Sequence, residues 1–172
     1  VERWRRRFAG EPATVLVSAN RDLQRYARIG LRAVADRSDD DLGPLAGLDA
    51  LASACQTPWL LTLPVDLIGV NDCLLPSLLA ATDANGAHAV DDDGPQPLVG
   101  LWPVAPLRIA AAQAIAAREL AIHSLQRRLN MSAVRLDGVR FGNLNTPDDL
   151  AAAGAVPAID SDADPDAEAP PA

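Results

Sequence analysis

Residues 31–55 read LRAVADRSDDDLGPLAGLDALASAC, and this stretch decides the fold class. Residues 31–35 form a short apolar-dominated run, which predicts a strand ending at Asp36. The acids Asp39, Asp40 and Asp41 follow and read as a solvated turn. Residues 44–55 then predict a helix, with Pro44 near its first turn, where proline costs no hydrogen bond. A strand, a tight acidic turn and a helix form the unit from which layered α/β folds are built. Gly43 and Gly47 bracket Pro44-Leu45-Ala46, whereas a surface loop needs only one breaker. Two readings of the pair stand. The backbone lies close to a planar ligand, helped by N–H groups at a helix start. Alternatively, the glycines serve a tight turn and close packing of helix on strand.

The same alternation continues in both directions. Upstream, TVLVS (residues 14–18) predicts a buried strand and residues 23–27 a helix. Val1, Trp4 and Phe8 lie at helical spacing and mark the end of an amphipathic helix, with Arg5, Arg6 and Arg7 on its solvated face. Downstream, WLLTL (59–63) predicts a strand closing at Pro64-Val65-Asp66, and residues 74–81 a helix with Pro76 near its start. Residues 87–91 and 98–104 read as strands flanking a Gly94-Pro95 turn. Residues 106–129 form a long Ala-rich helical stretch broken near Glu119, and residues 133–136 a short strand. A closing helix over 147–153 takes Thr146 as its N-cap, with Asp148 and Asp149 in the first turn. Residues 1–154 are thus expected to form one domain. Residues 155–172, rich in Pro, Ala and acid, are expected to form a disordered tail. The alternation predicts a mostly parallel sheet with helices on both faces. Ligands of such sheets bind beyond the carboxyl ends of the strands, which singles out the positions after Ser18, Asp36 and Asp66.

Bulk properties narrow the function. The chain has 172 residues, 49% of them hydrophobic, enough for one domain with a proper core. Net charge is -8, and all 15 cationic side chains are arginine. An acidic chain without a basic stripe argues against nucleic acid as a partner. The two cysteines, Cys55 and Cys73, have no metal spacing and read as small hydrophobes in a reducing cytoplasm. No apolar run reaches the roughly 18 residues of a membrane span. No signal peptide is visible, although the chain opens on Val1 rather than Met.

Each chemical candidate carries two readings. Asp66, at the tip of a buried strand, either holds a hard cation such as Mg²⁺ or serves as a turn acid before the next helix. Asp36 either accepts hydrogen bonds from a base or ribose, or is a loop acid beside its solvated neighbours. Asn143 and Asn145 either point at a ligand or simply form a turn. His88 and His123 have no partner spacing and are read as structural.

Five segments in order carry a resemblance: VLVSANR (15–21), VADRSDDDLGPLAGL (34–48), LLTLPVD (60–66), QPLVGLW (96–102) and NLNTPDDL (143–150). Together they resemble the molybdenum cofactor guanylyltransferases, the MobA family of nucleotidyltransferases. The resemblance implies a three-layer, Rossmann-like α/β fold. It implies transfer of GMP from GTP to the phosphate of Mo-molybdopterin, with release of pyrophosphate and with Mg²⁺ as cofactor. It implies that Asp66 is the catalytic metal ligand, that Ser18, Asn20, Asp36, Gly43, Gly47 and Asp66 line the nucleotide site, and that Asn143 and Asn145 face the pterin. GTP and Mo-molybdopterin are then the small-molecule partners, with molybdoenzymes or other cofactor-biosynthesis proteins as macromolecular ones. The sequence departs from the pattern in two places. Ser18 stands where the family has Asn, offering a shorter group with one donor. The family's first strand and its Gly-rich, lysine-bearing phosphate loop have no counterpart here, since the chain has no Gly-Gly pair and no lysine. The first strand is therefore expected to be missing from the sheet, and the 172 residues are expected to be inactive in guanylyl transfer. Two alternatives are a molybdopterin cytidylyltransferase or other MobA-like nucleotidyltransferase, and a non-catalytic remnant or binding protein.

Overall fold

The computed structural model describes residues 1–10, 14–38 and 40–144. Asp39, Asn145, the expected Thr146 cap with its helix over 147–153, and the tail lie outside these residues. In chain order the elements are α1 (Glu2–Arg7), β1 (Leu16–Ser18), α2 (Leu23–Arg28), β2 (Arg32–Val34), α3 (Pro44–Ala54), β3 (Trp59–Thr62) and β4 (Leu67–Ile68). They continue with α4 (Leu74–Ala81), β5 (Ala87–Asp91), β6 (Gly94–Pro103), α5 (Val104–Ala116), α6 (Ile122–Arg128), β7 (Ser132–Arg135) and β8 (Gly142–Asn143).

The central sheet has the order β3-β6-β5-β7. Side chains alternate across it as the two-residue period of a strand requires. Trp102, Leu60 and Leu98 face one core with α3, α5 and α6. Val99, Leu101, Ala87 and Ala89 face a second core with Trp4, Leu74 and Leu78. Helices on both faces of a sheet give the three-layer α/β arrangement that the alternating pattern predicts. Trp102 is fully buried, and its indole Nε1 donates to Thr62 Oγ1 at 2.8 Å, tying the last residue of β3 to β6.

The expectation of a mostly parallel sheet needs correction. β1 runs parallel to β2 and β5 parallel to β7, but β6 is antiparallel to both β5 and β3. The reason is local. Asp91 and Gly94 pair across a two-residue turn, and so short a connection can only reverse the chain. β6 accordingly starts at Gly94 rather than 98, and Gly94-Pro95 belongs to the strand, not the turn. β1 and β2 form their own two-stranded sheet, held against the rest by α3. Among the described residues β1 pairs only with β2, and β3 only with β6. The Ala-rich stretch divides into α5 and α6, with Arg118 in the left-handed region (φ 57°) at the break. β4 and β8 are not signalled by any apolar pattern; they exist because Leu67 pairs with Asn143 and Ile68 with Gly142.

Candidate functional site

Two cavities are lined by consecutive residues of the chain, Gly43 and Pro44. Gly43 lines one of about 440 Å³ and Pro44 lines the other, of about 470 Å³.

The smaller cavity is built from the loops after β1 and β2, and Asn20, Asp36, Ser38 and Gly43 line it. Asn20 and Asp36 hold one another. Asn20 Nδ2 donates to Asp36 Oδ2 at 2.8 Å, and the Asp36 backbone N–H donates to Asn20 Oδ1 at 2.8 Å. Asp36 Oδ1 is left buried with no hydrogen-bond partner among the described residues. A buried oxygen without a donor costs about 1–3 kcal/mol, so it is an acceptor waiting for an N–H or O–H. Arg37, the neighbouring cation, is engaged elsewhere: its Nη1 reaches Asp49 Oδ2 at 3.1 Å and Ser53 Oγ at 2.9 Å on α3. The Asp40 N–H donates to Ser38 Oγ at 3.1 Å, which shapes the rim.

The two glycines have different reasons. Gly43 has φ 55° and ψ -147°, a conformation that side-chain-bearing residues rarely adopt, and a Cβ there would meet nothing within 4 Å. A Cβ on Gly47 would lie 2.5 Å from Ser18 Oγ and 3.3 Å from Ser18 Cβ. At Gly47, therefore, the close approach is between α3 and β1, the packing alternative raised from sequence. Neither Ser18 nor Gly47 lines the smaller cavity, although Asp36 Oδ1 is 3.9 Å from the Gly47 Cβ position.

Asp66 and Asn143 line the larger cavity, brought together across 77 residues of chain by the β4–β8 pairing. The peptide carrying Asp66 is held on both sides. Trp4 Nε1 donates to the Pro64 carbonyl at 3.3 Å, and Arg3 Nη2 donates to the Val65 carbonyl at 2.9 Å and to the Leu67 carbonyl. From the other side the Leu144 N–H donates to the Asp66 carbonyl at 2.9 Å. With the backbone so fixed, the Asp66 carboxylate makes no hydrogen bond or salt bridge of its own among the described residues. Burial lowers the Arg3 guanidinium from its usual value, while the nearby Asp66 carboxylate opposes that shift. Arg3 also sits 4.5 Å over the Trp4 ring.

The walls of the larger cavity are apolar, with Pro44, Pro64, Pro97, Leu98 and Val99 among them. Two polar side chains that sequence reading left unassigned, Gln96 and His123, join Asp66 and Asn143 there. Gln96 lies inside the QPLVGLW segment, so a signal for it existed. His123 was set aside for want of a partner spacing, because its neighbours come from other elements. Gln96 is braced by Asp91, the fully buried last residue of β5. Asp91 Oδ1 accepts from the Asp93 and Gly94 N–H groups and from Gln96 Nε2, at 3.0, 3.0 and 3.1 Å, and Oδ2 accepts from the Phe141 N–H at 2.7 Å. Burial alone would push its carboxyl up; the donors from Phe141, Gln96, Asp93 and Gly94 outweigh that and hold it below the usual carboxylate range. Asp91 thereby ties the β5–β6 turn to the segment leading into β8 and Asn143. Among the described residues no helix is long and apolar enough to cross a membrane.

Comparison with known proteins agrees with this arrangement. A model of the MobA-like NTP transferase domain matches residues 1–133. A molybdenum cofactor guanylyltransferase of Cupriavidus pinatubonensis is 33% identical over 153 residues, which cover 84% of this chain and 76% of that protein. One of Ectopseudomonas mendocina is 37% identical over 141 residues, 81% of this chain and 70% of that protein. The fold is shared with the crystal structure of molybdopterin-guanine dinucleotide biosynthesis protein A from Archaeoglobus fulgidus, at a TM-score of 0.62 and 17% identity, over 88% of this chain and 82% of that one.

Proposed function

The chain belongs to the MobA-like NTP transferase domain family, and from that premise we propose that it is a molybdenum cofactor guanylyltransferase, joining GMP from GTP to Mo-molybdopterin. The observation that carries the reading is the pair of neighbouring cavities, one lined by the hydrogen-bonded Asn20–Asp36 pair and Gly43, the other by Asp66 and Asn143. The smaller cavity takes the guanine nucleoside. Asp36 Oδ1 accepts an N–H of the base or an O–H of the ribose, and Asn20 keeps that carboxylate from turning. Gly43 leaves the wall open where a side chain would project. The larger cavity takes the pterin, with Asn143 among its lining residues.

Across the Gly43–Pro44 peptide the two substrates meet. A phosphate oxygen of the molybdopterin bonds to the α-phosphorus of GTP, the bond from that phosphorus to the bridging oxygen breaks, and pyrophosphate leaves. Asp66 fits a Mg²⁺ site by the chemistry of its donor: an oxygen ligand free of other partners, beside a cavity that admits phosphate. Among the described residues no group of three or more His, Cys, Asp or Glu gathers to hold a metal, at Asp66 or elsewhere, so water and phosphate would have to complete the shell. Mg²⁺ commonly takes one or two carboxylates and completes its shell with water and phosphate. Bound there it would neutralise charge on the triphosphate. Arg3 and Trp4 hold the backbone on either side of Asp66 in place. The site operates in the cytoplasm, where GTP is available.

The 172 residues contain neither lysine nor a Gly-Gly pair, so turnover is a weak readout and binding a direct one. The ¹⁵N-labelled chain titrated with GTP and with CTP, in the presence of Mg²⁺, tests the reading. GTP should shift the Asn20, Asp36 and Gly43 amides at lower concentration than CTP. Stronger shifts with CTP would make the chain a cytidylyltransferase, and no shifts with either nucleotide would overturn the reading of the smaller cavity as a nucleotide site.

A further inference from the structure

Gln96 is held on every side. It lies in β6 between Pro95 and Pro97, and the residue before a proline is confined to extended backbone. The Pro97 carbonyl is tied to α6 by Gln126 Nε2 at 3.0 Å. The amide of Gln96 is orientated as well. Its Nε2 donates to Asp91 Oδ1 at 3.1 Å. An ionised carboxylate only accepts hydrogen bonds, so the reverse orientation would set oxygen against oxygen. The side chain nevertheless lines the larger cavity, and its Oε1 has no partner among the described residues. Beside Asn143 and His123, that cavity therefore carries two acceptors, the Asp66 carboxylate and the Gln96 carbonyl oxygen, set between proline and aliphatic walls. A flat ring carrying N–H groups on its edge complements such a slot.

We propose that Gln96 is a specificity-determining residue of the larger cavity, presenting Oε1 to an N–H donor on the ring edge of an amino-heterocycle, the pterin class. The proposal rests on the reading of this cavity as the second substrate's place. A site built to accept from a substrate N–H rejects an analogue lacking it, because the acceptor is then left unpaired. Asp91 acts through Gln96 by choosing which end of the amide faces the ligand.

The test uses Gln96→Lys in the full 172-residue chain. Lysine can still donate to Asp91 but offers no acceptor, so it removes Oε1 while keeping the brace. Quenching of 6-hydroxymethylpterin fluorescence measures affinity, and urea unfolding measures the fold. The expected result is about five- to tenfold weaker pterin binding, the worth of one uncharged hydrogen bond, at an unchanged urea midpoint. Equal affinity in wild type and variant overturns the assignment of Gln96 while leaving the cavity reading intact. No pterin binding by wild type overturns the cavity reading and this inference with it. Should the lysine variant fail to fold, Gln96→Met decides, its midpoint lowered by the lost bond to Asp91: wild-type affinity in the folded variant overturns the proposal, and about five- to tenfold weaker binding supports it.

Discussion

Replacing Asp91 by Asn changes almost nothing in volume and a great deal in charge. The carboxylate is fully buried and accepts four N–H groups, three on Oδ1 and one on Oδ2. Asparagine keeps one oxygen, and the three donors on the Oδ1 side claim it. Its NH₂ then faces the Phe141 N–H across 2.7 Å, donor against donor. Three bonds lose a charged acceptor, at about 1 kcal/mol each, and one orphaned donor costs about 1–3 kcal/mol. Removing a buried charge returns part of this, so the net loss should be about 2–4 kcal/mol. With a urea slope of about 1–3 kcal/mol/M, the unfolding midpoint should fall by about 1–2 M at an unchanged slope. Hydrogen exchange gives a second readout, since the Phe141 amide should lose its protection while the β5–β6 ladder keeps its own. The pH dependence has a definite sign. The folded carboxyl sits below its unfolded value of 3.8, so its stabilisation is whole above that pH and is lost as pH falls below it through the folded value. The variant should lack that part of the acid limb. A midpoint within about 0.3 M of wild type would refute the claim that these four bonds hold the turn and the β8 segment together.

Asp66→Ala removes no hydrogen bond or salt bridge and only the attraction to nearby Arg3, so urea stability should stay within about 1 kcal/mol; Mn²⁺ affinity in the presence of GTP, followed by electron paramagnetic resonance, should fall to that of free GTP, and unchanged Mn²⁺ binding would remove Asp66 from the metal site. Gly47→Leu should push α3 off β1 through the Ser18 contact, costing about 1–3 kcal/mol by overpacking and weakening GTP binding through displaced Asp36; a variant as stable as wild type in thermal unfolding would contradict the close approach. His88 is half-buried in β5 with Nδ1 unpartnered, and burial, partly offset by a hydrogen bond at Ala89, places it below its ordinary 6.5. Charging it is thus harder in the fold than in the unfolded chain, so stability is whole above 6.5 and declines as pH drops from there toward the folded value. His88→Leu should flatten the stability curve on that side, and an identical slope in both proteins would refute the assignment.

What the sequence determined by itself was the local content. The period of apolar residues placed β1, β3, β5 and most helices within a few residues, because alternation and helical spacing are properties of neighbours along the chain. Pro44 marked the start of α3, and the acids at strand tips marked the ends where ligands gather. The tertiary structure decided whatever depends on partners far along the chain. β4 and β8 are two residues each and exist only through one another, so no window of sequence announces them. Asp91 closes the strand read over 87–91, yet only the fold makes it a buried hub that accepts from the Phe141 N–H 50 residues on. The sequence leaves Gly47 open between ligand clearance and close packing of helix on strand, and Ser18, 29 residues earlier, decides for packing. Gln96 lies in a segment that the sequence marks, but His123 reaches the same cavity on α6, whose sequence carries no mark of it. Local propensity is written in adjacent residues, whereas burial, pairing direction and convergence on a cavity are set when distant segments compete for the same core.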